Sequence, residues 1–207
     1  MRIVWVLGLV AIAVGVGTAA FAGGNPAMQL ALVVQPHQQR SCGATYTDCT
    51  AMQYRYDGGG SFDVMVVAYN FTGLTGVSYA LDYSGVDGAS FGSFQNCADL
   101  ELHSTEPGLY ASSQAWSTCQ APPTGGAGVV LGWLELWGDG TGRIDLVANP
   151  GEGGILAVDC AFQRDVISAT HPAFVGGALA RQGDTSPCGE ILADQSSTWG
   201  GVKSLYR

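Results

Sequence analysis

No stretch in the body of this chain sustains a helical period. Its apolar residues come instead in short runs rich in Val, Leu and Tyr, separated by turns that carry glycine. Glycine fills 31 of the 207 positions, about twice its usual share. Alternation over four to eight residues bounded by Gly, Pro, Asn and Asp is the signature of strands, so the expected class is all-β. Only 12% of residues are charged, and 17 acids face 8 bases for a net charge of −9. That balance excludes coiled coils, and it repels phosphate backbones and anionic membranes. A hydrophobic share of 47% is enough for a packed core and excludes a disordered chain.

The N-terminus reads as an export signal. Arg2 supplies a small positive region, residues 3–16 are almost unbroken apolar, and Ala20-Phe21-Ala22 offers the small-x-small pattern of a cleavage site. Cleavage after residue 22 would leave 7 bases against 17 acids. The run is shorter than the ~20 apolar residues a membrane span requires, so no span is expected after cleavage. Export places the protein outside the cell or in a periplasm, with a cell-surface association open. The domain reading is then signal peptide 1–22, β-sandwich 23–190 and C-terminal tail 191–207. In that tail Trp199, Val202, Leu205 and Tyr206 are spaced for a short amphipathic helix capped by Ser197 or Thr198. An exposed tail read by attachment machinery is the other reading.

Six cysteines, Cys42, Cys49, Cys97, Cys119, Cys160 and Cys188, fit the oxidising compartment that export implies. Their spacing favours neighbour pairing: 42 with 49, 97 with 119, and 160 with 188. No C-x-x-C and no Cys near a His at ligand spacing points to zinc, so no metal and no cofactor is expected.

Strands are expected at 28–34, 62–70, 77–83, 99–103, 155–162 and 166–169. At 99–103, Leu100 and Leu102 are expected to face inward and Asp99, Glu101 and His103 outward. Residues 84–93 read as a Gly/Ser loop. The segments 129–137 and 142–148 read as a hairpin turned by Gly138-Asp139-Gly140-Thr141. Many short strands with glycine turns in one domain point to an antiparallel β-sandwich.

Candidate chemistry is sparse. Gly88-Ala89-Ser90-Phe91-Gly92 matches G-x-S-x-G, with Asp165 and His171 following in the order a hydrolase triad needs, but a glycine-rich chain produces that pattern readily by chance. Asp99, Glu101 and His103 share one strand face and could offer metal ligands, although a solvated face explains them as well. Trp133 and Trp137 flank Glu135 on one face of a strand. Exposed, they would form a stacking platform for sugar rings with Glu135 as acceptor; buried, they are core.

The stretch Tyr69-Asn70-Phe71-Thr72-Gly73-Leu74-Thr75-Gly76-Val77-Ser78-Tyr79-Ala80-Leu81-Asp82-Tyr83 resembles cohesin-like modules, in which an apolar strand and an Asn-bearing turn lead into a Gly-Val-x-aromatic-x-Leu-x-Tyr strand. The apolar stretch 128–137 is similar to their central strand. Thr198 to Arg207 resembles the tail of small secreted bacterial sandwich proteins. The resemblance implies an immunoglobulin-like or cohesin-like sandwich that binds a glycan or an extracellular protein without catalysis. The alternatives are a structural subunit of an extracellular layer or filament, with the tail docking into a neighbour, and a secreted serine hydrolase acting through Ser90.

Overall fold

A computed structural model describes residues 24–37, 40–46, 52–56, 60–122 and 128–175. The export signal, the C-terminal tail, Cys49 and Cys188 lie outside them. Thirteen strands and no helix make up the described residues: β1 (Gln29–Pro36), β2 (Thr45–Tyr46), β3 (Arg55–Tyr56), β4 (Ser61–Tyr69), β5 (Leu74–Asp82), β6 (Asp87–Asn96), β7 (Leu100–Glu106), β8 (Leu109–Gln120), β9 (Gly128–Val147), β10 (Ile155–Val158), β11 (Arg164–Ile167), β12 (Ala169–His171) and β13 (Ala173–Val175). The first sheet runs β6–β9–β4–β1–β12, and the second runs β7–β8–β5–β10–β11. Pairing is antiparallel except between β1 and β12 and between β3 and β13. The expected β-sandwich is therefore present.

One strand stitches the two sheets together. The N-terminal part of β9 pairs with β4 and β6, while Asp145–Val147 pair with β5 end to end with β10. The hairpin expected at 138–141 is accordingly absent, because β9 is continuous through those glycines. They serve close approach rather than reversal. A Cβ on Gly140 would sit 2.5 Å from that of Ala89, and Gly138 takes φ 109° where β6 runs alongside. Glycine inside a strand commonly marks such a bend or approach. For the same reason the expected Gly/Ser loop at 84–93 is largely strand, as part of β6.

Alternation along β4 explains a two-sided sheet. Phe62, Val64, Val66 and Ala68 face the main core with Leu30, Leu32, Tyr79, Leu81, Leu134 and Leu136. Met65, Val67 and Tyr69 face the other way, into a smaller cluster with Ala31, Val33, Met52 and Val130. That outer cluster is roofed by segments 40–46 and 52–56, from which Ala44 and Tyr46 pack on it and Met52 joins it. Strands buried on both faces read as continuous apolar runs, which is how β1 and β4 read.

The cystines differ from the expected neighbour pairing. Cys42 joins Cys97 and Cys119 joins Cys160, each with 5.4 Å between Cα atoms. Short spacing in sequence misleads here because a sheet places strands distant in sequence side by side: the first bridge ties the roof to the end of β6, and the second ties the end of β8 to the end of β10.

Candidate functional site

Strand β7 is turned over relative to the sequence expectation. Glu101 faces the sandwich interior, accepting hydrogen bonds from Tyr110 Oη at 2.9 Å and Ser112 Oγ at 2.6 Å. His103 stacks on Tyr110 with ring centroids 5.6 Å apart. Asp99 binds the Ser117 amide and hydroxyl at 2.7 and 2.6 Å, which hold its carboxyl below the usual range. Glu101 and His103 thus share Tyr110, while Asp99 is held apart from them by Ser117. Leu100 and Leu102 point outward instead and are 59% and 69% exposed. The inward polar choice is made by β8, whose Tyr110 and Ser112 offer hydroxyls on the interior face.

Register carries that outward face across the second sheet. Leu102 lies opposite Ser113, Ser113 opposite Ser78, Ser78 opposite Leu156, and Leu156 opposite Val166. The neighbouring row runs Leu100, Ala115, Gly76, Val158 and Arg164. The middle of the sheet therefore carries small side chains, and its margins carry large apolar ones. Val166 is 71% exposed and Phe162, beyond β10, 78%. Between the margins lies a groove of about 390 Å³, lined among others by Gly76, Ser78, Gln114, Trp116, Leu156 and Phe162. Large apolar side chains left exposed on one face mark an interaction site more often than they mark chance.

The opposite outer face, on the first sheet, carries Trp133, Glu135 and Trp137, and its geometry is more closed than an open shelf. Trp133 is half-buried against the outer cluster, with the Arg40 guanidinium 5.8 Å from its ring centroid. Its indole nitrogen is buried without a hydrogen-bond partner among the described residues. Trp137, 39% exposed, lies over Gly92, where a Cβ would meet the indole at 2.6 Å. Glu135 sits between them but is engaged: His37 Nδ1 is 3.0 Å from its Oε1 and Arg40 Nη1 is 3.3 Å from its Oε2.

Asp63 on β4 completes this group, with His37 Nδ1 and Arg40 Nη1 each 3.3 Å from its Oδ1. Burial pushes its carboxyl above the ordinary range, against the pull of Arg40 and of the His37 hydrogen bond. Ligand atoms of His37, Asp63 and Glu135 all lie within 4.8 Å of one another, a donor set that could hold a metal ion. The sequence signal for this group was Asp63, a lone acid inside an otherwise apolar strand. His37 follows Pro36 in the chain after β1, and nothing in the sequence joins it to Glu135.

Ser90 occupies the middle of β6, opposite Trp137, and the chain continues as strand to Asn96. A nucleophile elbow needs a sharp strand-to-helix turn, which this segment does not make. Asp165 is taken by the Asn25 amide at 2.8 Å, and His171 pairs with Gln29 at 3.0 Å. Burial holds the His171 imidazole below its usual range.

The solved structures it resembles are cohesin modules. A type II cohesin domain from the cellulosome of Acetivibrio cellulolyticus superposes with a TM-score of 0.48 at 11% identity, covering 72% of this chain and 95% of that one. The sixth cohesin of the same organism's scaffoldin B, solved with a Cel5 dockerin, gives 0.47 at 11% identity over 72% and 97%. A non-cellulosomal cohesin from the archaeon Archaeoglobus fulgidus gives 0.45 at 11% over 70% and 88%. No family model and no curated protein matches the sequence.

Proposed function

We propose that this chain is an exported, non-catalytic protein-binding module that docks its partner on the outer face of the second sheet. The observation that carries the reading is the exposure of Leu100, Leu102, Phe162 and Val166 on the sheet face that also holds a groove lined by small residues and Phe162. Fully burying one large aliphatic side chain is worth about 1.5–3 kcal/mol, and interfaces draw most of their energy from a few such anchors around a desolvated centre. Arg164 and Glu152, joined at 3.1 Å on the rim, would supply the polar border. A glycan is the less supported ligand, because Trp133 and Glu135 are already engaged by Arg40 and His37.

The test uses the purified exported protein, immobilised against the secreted and envelope fractions of its source, with a dockerin and a glycan array as defined probes. A protein partner captured by the wild type and lost with Leu102→Asp and Val166→Asp is the expected result. Both positions are more than two-thirds exposed, so these variants should keep the wild-type melting temperature. Capture that survives both substitutions, or binding to glycans alone, would overturn the docking face.

A further inference from the structure

We propose that His37, Asp63 and Glu135 form a binding site for a first-row divalent cation of the zinc type on the outer face of the first sheet. A tetrahedral site with bonds of about 2.0 Å places neighbouring ligand atoms about 3.3 Å apart. His37 Nδ1 stands 3.0 Å from Glu135 Oε1 and 3.3 Å from Asp63 Oδ1, so the ligand atoms already have the spacing of two edges of that tetrahedron. Three protein ligands leave a fourth position for water or a partner's donor atom, the arrangement of open zinc sites. One imidazole with two carboxylates suits zinc and its neighbours; calcium takes six to eight oxygens and magnesium a near-ideal octahedron.

Asp63 is the second observation. Its side chain has no solvent exposure, its Oδ1 points into the cluster, and its Oδ2 is buried with no hydrogen-bond partner among the described residues. A buried carboxylate left partly unsatisfied is costly unless a cation completes it. Among the described residues, Arg40 is the one permanent cation in the group, and it is divided between two acids. It holds the carboxylates together in the metal-free chain. When a dication enters, its stacking on Trp133 gives the guanidinium a place beside the site. Two rigid strands, β4 and β9, present the carboxylates at paired positions, Asp63 opposite Glu135, and the chain leaving β1 brings the imidazole. The proposal is independent of the docking face, which lies on the other sheet.

The experiment is a calorimetric titration of the metal-stripped, purified exported protein with zinc chloride, read in parallel by tryptophan fluorescence, since Trp133 touches the group through Arg40. Expected are one zinc per chain, little competition from calcium or magnesium, and a melting temperature that rises with zinc. His37→Ala and the near-isosteric Glu135→Gln should each weaken binding by more than about tenfold, since even outer-shell changes cost a metal site 10–100-fold. His103→Ala should leave it unchanged. Glu135→Gln keeps the fold testable should His37→Ala disturb the loop. Absence of stoichiometric zinc binding by the wild type, or unchanged affinity in both ligand variants, overturns the site.

Discussion

The Cys42–Cys97 bridge gives the sharpest test of the architecture, because its energetic and chemical consequences both follow from which strands lie side by side. It closes a loop of 55 residues. In the loop-closure account of cystine stabilisation, that length corresponds to about 4.2 kcal/mol at 25 °C, against about 2.4 kcal/mol for the seven-residue loop that pairing with Cys49 would close. Replacing both residues by serine should therefore lower stability by about 4 kcal/mol. With a urea dependence of about 2 kcal/mol per molar, the unfolding midpoint should fall by about 2 M. The same variant should shift tryptophan emission to the red, since the bridge pins the roof that carries Arg40 and Tyr46 over the outer cluster around Trp133. Non-reducing tryptic mapping checks the connectivity directly. Cleavage after Arg40, Arg55, Arg143 and Arg164 puts Cys42 and Cys49 in 41–55, Cys97 and Cys119 in 56–143, and Cys160 in 144–164, so these three peptides should travel together in one linked species that separates on reduction. A 41–55 peptide closed on itself and free of 56–143, or a midpoint shift below about 0.5 M, would refute the strand placement.

Other perturbations probe separate parts of the fold. Gly132→Ala would set a Cβ 2.4 Å from Phe94 and 2.5 Å from the Gln95 carbonyl oxygen; backbone cannot yield as a flexible side chain can, so a loss of about 1–3 kcal/mol is expected in urea unfolding. Phe62→Ala, at a fully buried core position, should cost about 3–5 kcal/mol in the same assay. Asp159 accepts hydrogen bonds from the Gln163, Gly24 and Ala161 amides, which hold its carboxyl below the ordinary range. A depressed folded value means that its stabilisation is present above the unfolded value near 4 and is lost as pH falls through the folded one. Asp159→Asn should therefore flatten the fall of melting temperature below about pH 4, and an unchanged acid profile would show that the latch on Gly24 does not contribute.

Which strands exist was legible wherever side chains are large. The strands expected at 28–34, 62–70 and 77–83 correspond to β1, β4 and β5 within a few residues. Strand β8 escaped because its sequence, LYASSQAWSTCQ, is mostly small and polar; it is a strand because β5 and β7 pair with it on both sides. Missing it also reversed β7, since Tyr110 and Ser112 decide which face of Glu101 is satisfied. At Gly138, Gly140 and Gly142 the composition of a reversal and that of a close strand approach are the same, and only the neighbouring β6 distinguishes them. The Trp133–Glu135–Trp137 face was legible as one face, but the partners that occupy Glu135, His37 and Arg40, arrive from the chain after β1.

The two outer faces show why apolar alternation alone could not locate a binding surface. Both sheets bury one face in the common core, and both carry apolar residues on the other. On the first sheet, Val33, Met65, Val67 and Val130 are covered by a segment of the same chain held down by a cystine. On the second, among the described residues, nothing covers Leu100, Leu102 or Val166. A solvated sheet face ordinarily carries polar side chains, and the polar residues of β7 were available one position away; they are instead turned inward at Glu101, where two hydroxyls hold the carboxylate. Satisfying Glu101 at the rim of the core and presenting Leu102 to solvent are therefore one register choice. Glu101→Leu together with Leu102→Glu tests that coupling. If Tyr110 and Ser112 fix the face, the swap strips both hydroxyls of their acceptor and removes an apolar anchor, so partner capture should fall and stability should drop by about 1–3 kcal/mol. Retention of both would show that the leucines are outward by default and that the face is not built for a partner.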